Sequence, residues 1–411
     1  MPFVHPIFRS FFQAGFECST YKRADGKRLD LLASTDHDRL GREDHKRIQA
    51  IGIRTARVAA RWHLIEQLPS QYNFDSLALT LDAASESGTE VLLDLLHFGW
   101  PDHVDVFSRE FVSAFADFTY AAARFLRRRG DCNKIAPVNE ISFLAWAGGD
   151  AAAINPHAVG RGWELKRNLV RAAAKSSRVL LEEIPNVRLI SPEPVINIVG
   201  NPAIPGDDVE AENYRLAQYH AWDMISGQFE PELGGRPEFL DIIGVNFYER
   251  NQWVHNSKTA LPRTDLRYRP FHEMLLEVWE RYRRPIFVAE TGTEDCVRAA
   301  WFNYVCDEVY TALALGIPIH GICLYPILNH PGWEDDRHCH NGLFDYAGSH
   351  GEREIHWPLA EAILRQQSRL DRSNHFYAPQ PQHHRSDLFL PPALGIRLST
   401  PTTPDEPLCP A

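Results

Sequence analysis

Eight short apolar runs, each followed by a segment with helical spacing, constrain this chain more than any other feature. The runs are Phe11–Glu17, Ile53–Ala59, Glu90–Leu96, Ile135–Val138, Val187–Ser191, Phe239–Asn246, Pro285–Glu290 and His320–Tyr325. Between and after them the spacing predicts helices over Arg42–Ile51, Asp75–Ser87, Ser108–Arg129, Gly162–Glu183, Asp208–Gly227, Pro270–Arg283, Val297–Leu315 and Pro358–Leu370. No run of consecutive hairpins interrupts the alternation, so parallel βαβ units are expected, and eight of them fit one closed α/β (β/α)8 TIM barrel with loop insertions. An open doubly wound sheet would usually carry a Gly-rich phosphate loop after the first strand. Neither that loop nor a Walker loop is present, and no cofactor is expected.

In a parallel barrel the carboxyl ends of all strands open on one face, so residues distant in sequence can meet across a cleft. Two of the runs end in the same way. Ile135–Val138 leads into Asn139 and Glu140, and Ile286–Ala289 leads into Glu290 and a Thr-Gly turn. Paired carboxylates on such a rim suit glycosidic bond cleavage, where one protonates the leaving oxygen and the other attacks or activates water.

The 411 residues carry a net charge of −11, which argues against nucleic acid or an anionic membrane as a main partner, since both need clustered Lys and Arg. The longest basic run, Arg127–Arg129, reads as a helix end. Seven cysteines without a CxxC pair read as reduced thiols. No apolar run approaches the ~20 residues of a membrane helix, and no signal peptide is visible. Together these predict a cytoplasmic protein. The types in Asp336–His340 can ligate metals, but their spacing matches no zinc pattern, and no metal is expected. Residues 8–372 are assigned to the barrel, and residues 373–411, Pro-rich and polar, to a flexible tail in which Leu388–Leu394 could dock on the barrel.

The ordered motifs resemble glycoside hydrolase family 1, the β-glucosidase-like enzymes, and the wider clan of retaining barrel glycosidases, from about Phe11 to about Asp345. Phe12–Tyr21 is similar to the first-strand Phe-x-x-Gly-x-x-x-Ser-x-Tyr pattern, and Arg57–Trp62 to Arg-Phe-Ser-x-x-Trp. His97–Pro101 resembles His-Trp-Asp-Leu-Pro, Val138–Glu140 resembles Thr-x-Asn-Glu-Pro, and Gly244–Tyr248 resembles Gly-x-Asn-Tyr-Tyr. Ala289–Gly292 is similar to Thr-Glu-Asn-Gly, and Tyr325–Trp333 to Trp-Ser-Leu-Leu-Asp-Asn-Phe-Glu-Trp. The resemblance implies Glu140 as general acid/base and Glu290 as nucleophile of a retaining β-glycosidase, with the two carboxyl groups about 5–5.5 Å apart.

Arg57 and Tyr248 would serve the nucleophile as cation and phenol donor. Asn139 can bond a sugar 2-hydroxyl, while His97, Trp100, Asn246 and Trp333 can supply hydroxyl contacts and an apolar face. The expected partner is a small-molecule or oligosaccharide glycoside. A carbohydrate-binding barrel without hydrolysis, or a transglycosylase using the same covalent intermediate, are the alternatives. The ring-recognition residues depart from the family pattern. Lys22 stands where a Gln is usual, Gly332 where a Glu is usual with Glu334 two residues on, and Ile141 follows the acid in place of Pro. An ammonium at Lys22 would favour an anionic sugar; otherwise Lys22 points to solvent or pairs with Glu17 or Asp36.

Overall fold

A computed structural model describes residues 6–257 and 259–375. The sequence beyond 375, including Leu388–Leu394 and all of the proposed tail but its first three residues, lies outside the described residues, and residues 373–375 belong to the last helix. Eight parallel strands close a barrel: β1 (Phe12–Gly15), β2 (Thr55–Ala59), β3 (Glu90–Leu96), β4 (Lys134–Val138), β5 (Arg188–Pro194), β6 (Ile242–Asn246), β7 (Ile286–Thr291) and β8 (Ile319–Leu324). They pair in sequence order, and β1 closes the ring by pairing with both β8 and β2. The barrel expected from the alternation is the one observed.

A helix follows each strand: α1 (His37–Ala50), α2 (Asp75–Glu86), α3 (Arg109–Arg129), α4 (Gly162–Glu183), α5 (Asp207–Leu216), α6 (Phe271–Tyr282), α7 (Arg298–Ala314) and α8 (Trp357–His375). The Ser108 side chain accepts the Phe111 N–H at 3.1 Å, capping α3 as Ser does at a helix N-terminus. Phe8, Leu92, Ala136, Ile190, Ile242 and Phe287 share one small buried cluster. The larger core joins the strands to the helices.

Three expectations need correction. The fifth strand, expected over Val187–Ser191, runs further: Pro192, Glu193 and Pro194 continue to pair in register with Gly244, Val245 and Asn246. α1 begins at His37 within what reads as a polar loop, because His37 is buried, stacks on Phe16 at 3.6 Å and bonds Asp44 at 3.0 Å. The helix expected over Asp208–Gly227 is broken, with a 3₁₀ turn at Ala217–Tyr219 between α5 and His220–Ile225.

Among the described residues, Cys18, Cys132, Cys306, Cys323 and Cys339 are free and buried. No helix among the described residues is long and apolar enough to cross a membrane.

Candidate active site

Backbone irregularity marks both carboxylates. Glu140 follows β4 with a left-handed φ of 46° and ψ of 61°, a conformation that costs a residue with a side chain on the order of 1–3 kcal/mol. Its N–H is held by the Pro192 carbonyl at 3.0 Å. Between β6 and β7 the register shifts: Val245 pairs with Val288, but Asn246 pairs with Glu290. One extra residue in β7 re-aims the side chains that follow.

Arg57 organises the floor. From β2 its Nε and Nη2 grip Asp94 Oδ1 and Oδ2 at 3.1 and 2.7 Å, Nη2 also donates to Asn139 Oδ1 at 2.7 Å, and Nη1 donates to Glu290 Oε1 at 2.6 Å. Burial opposes the guanidinium charge, but Asp94 and Glu290 more than offset it. Tyr248 Oη donates to the other Glu290 oxygen at 2.8 Å, and burial and the Glu290 charge push that phenol well up, so it stays a donor.

Glu140 is surrounded differently. Asn246 Nδ2 donates to its Oε1 at 2.8 Å, while Asn246 Oδ1 is buried without a partner. Burial, then the charge of Glu290, push the Glu140 carboxyl well above the ordinary range, with the Asn246 bond working against them.

The other candidates divide. His97 lies 2.9 Å from Asp94 through Nδ1 and 3.2 Å from Asn139 Nδ2 through Nε2. With Nδ1–H donating to the carboxylate, Nε2 accepts from the Asn139 amide. Trp333, part-buried, meets Tyr21, Phe98 and Phe143 at centroid distances of 5.8, 5.8 and 6.4 Å, and Glu334 accepts from Tyr21 Oη. Trp100 is buried, and its carbonyl accepts from Arg28. Lys22 stands apart. Its half-exposed ammonium pairs with Asp102 at 3.2 Å rather than with Glu17, which accepts from Ser19, or Asp36, which pairs with Arg39.

Sequence reasoning missed two acids. Asp94 is a lone charge inside the apolar run Val91–Leu96, and that anomaly was the available signal. Glu193 was hidden by the early end given to β5. It is buried, accepts the Ser142 N–H at 3.0 Å, and burial raises its carboxyl to about 7 against the pull of that bond and of Lys166.

Cys18, Asp94 and His97 bring ligand atoms within 4.8 Å of one another, but both Asp94 oxygens are already held by Arg57. Asp336–His340 contributes to no such group among the described residues.

Barrel, closing register and rim together have a family 1 β-glucosidase-like fold. The solved family 1 β-glucosidase of Thermotoga maritima superposes with a TM-score of 0.66 at 17% identity, covering 81% of this chain and 87% of that one. The Thermotoga maritima β-glucosidase in complex with glucoimidazole gives 0.71 at 16% identity, covering 89% and 99%. A hyperthermophilic β-glucosidase mutant described as forming a dodecamer in the crystal gives 0.69 at 14%, covering 86% and 98%. No family model matches the sequence, and no curated protein matches it.

Proposed function

We propose that this protein is a retaining β-glycosidase, with Glu290 as nucleophile and Glu140 as general acid/base. The observation that carries this reading is the contrast between two buried strand-end carboxyls. Glu290 faces a guanidinium and a phenol, both donors to a carboxylate. Glu140 is raised by burial and by Glu290 itself, and so is suited to keep a proton at neutral pH.

In the first step Glu290 attacks the anomeric carbon while Glu140 gives its proton to the glycosidic oxygen, which departs as the alcohol. In the second, Glu140 takes a proton from water, the hydroxide attacks the glycosyl-enzyme ester, and Glu290 is released. Arg57 and Tyr248 hold Glu290 through both steps, and Asn246 orients Glu140. Lys22, already balanced by Asp102, gives no support to an anionic sugar.

The test is incubation with a 2-deoxy-2-fluoro aryl glycoside, which slows the second step more than the first. The peptide containing Glu290 should gain the mass of the fluorosugar. Saccharide binding without label or turnover would instead identify a barrel that binds and does not hydrolyse.

A further inference from the structure

A groove beside the barrel mouth holds cations that the proposed reaction does not use. Ser142 and Phe143, just past Glu140, form one wall, with Trp163 and Lys166 of α4 and Arg250 and Trp253 after β6 forming the others. Its volume is about 950 Å³, within the range of small-molecule sites. The rings in it are partly open to water: Trp146 is 49% exposed, Trp163 43% and Tyr214 39%. Clustered exposed aromatics of this kind mark a binding surface more often than a bare one.

Lys166 gives the groove its chemistry. The side chain is only 9% exposed and lines the groove, yet among the described residues its ammonium has no hydrogen bond or ion pair. Burial pulls its pKa down, and Glu193 and Asp150 oppose this only through space. Asp150 spends Oδ1 on the Gly162 N–H at 2.6 Å. Arg250, exposed at the rim, likewise has no ion pair among the described residues. The Lys166 side chain is buried while its ammonium, unpaired among the described residues, opens only on the groove, so a ligand anion there gains a partly desolvated ion pair. In a chain of net charge −11, two cations left open in one aromatic groove are complementary to a planar acid.

We propose that this groove binds a small aryl carboxylate, its ring against the tryptophans and its acid group between Lys166 and Arg250. The groove adjoins the candidate active site through Phe143, which meets Trp333 at 6.4 Å, and its test requires no turnover.

Isothermal titration of the full chain with 4-hydroxycinnamate and with its methyl ester reads the proposal directly. The acid should bind saturably and about tenfold or more tighter than the ester, the scale of one hydrogen bond to a charged group. Lys166→Met should remove most of that preference, and Arg250→Gln, at an exposed position that the fold tolerates, should reduce it. Added salt should weaken the acid and leave the ester unchanged. Equal affinity for acid and ester overturns the proposal, as does wild-type preference in both variants or tighter binding of a neutral phenyl glycoside than of the acid.

Discussion

Arg57 Nη1 donates to Glu290 Oε1 at 2.6 Å across 233 residues of sequence. The same guanidinium is clamped on Asp94 by two further bonds, so the cation is fixed before any substrate arrives. A lysine is a point charge and cannot hold Asp94, Asn139 and Glu290 together. Arg57→Lys should therefore lower kcat by about two orders of magnitude or more through misplacement of the nucleophile, with a native far-UV circular dichroism spectrum. Arg57→Met leaves Asp94 and Glu290 buried without their cation and should cost roughly 3–5 kcal/mol in urea unfolding.

Glu290→Gln removes the attacking oxygen with almost no change in volume. Turnover of aryl glycosides should vanish, while the unfolding midpoint moves little compared with that of Arg57→Met. In the wild-type protein, proton NMR of the first product formed should show the anomeric configuration of the substrate, as double displacement requires. Initial release of the opposite anomer would assign Glu290 to water activation instead.

The barrel was legible because its signal is periodic and repeated eight times. Glu90–Leu96 matches β3 residue for residue, and Gly162–Glu183 matches α4. Failures fell where tertiary contacts override local pattern. Pro192 and Pro194 look like a strand end, but the neighbouring strand β6 holds them in register. From sequence His37 reads equally as cleft mouth or as solvated loop, and only the stacking of Phe16 on it decides. At the rim, Glu140, Glu290, Arg57, Tyr248, Asn139, Asn246 and His97 are joined by a network of direct hydrogen bonds, or by one shared neighbour's charge. Lys22 shows the limit of motif matching. Its position in the motif could be aligned, but its choice of Asp102 as partner depends on a loop 80 residues away.

Asn246 tests the acid from one side. Its amide donates to Glu140 Oε1 and lowers that carboxyl's pKa against the larger effects of burial and Glu290. Asn246→Ala should therefore move the alkaline limb of the kcat/KM profile to higher pH, because Glu140 then loses its proton later. A shift to lower pH would mean that the limb belongs to another group.

Glu193 tests it from the other side, and adds a stability prediction with a defined sign. Its negative charge is one of the causes that raise Glu140, so Glu193→Gln should move the same alkaline limb to lower pH, opposite to Asn246→Ala. Glu193's own carboxyl is raised to about 7 from 4.5 by burial. A folded-state value above the unfolded one means that the folded protein binds the proton more tightly. The resulting stability is fully present below about 4.5 and is lost as pH rises through about 7. That shift is worth up to roughly 3 kcal/mol across the window. Glutamine mimics the protonated form and does not titrate, so the variant's unfolding free energy should vary less between these limits and should exceed that of the wild type above pH ~8. Urea melts of both proteins at acidic, neutral and alkaline pH measure this. Parallel pH dependence in the two would show that Glu193 does not titrate in that window, and an unmoved alkaline limb in the variant would remove it from the surroundings that set the acid.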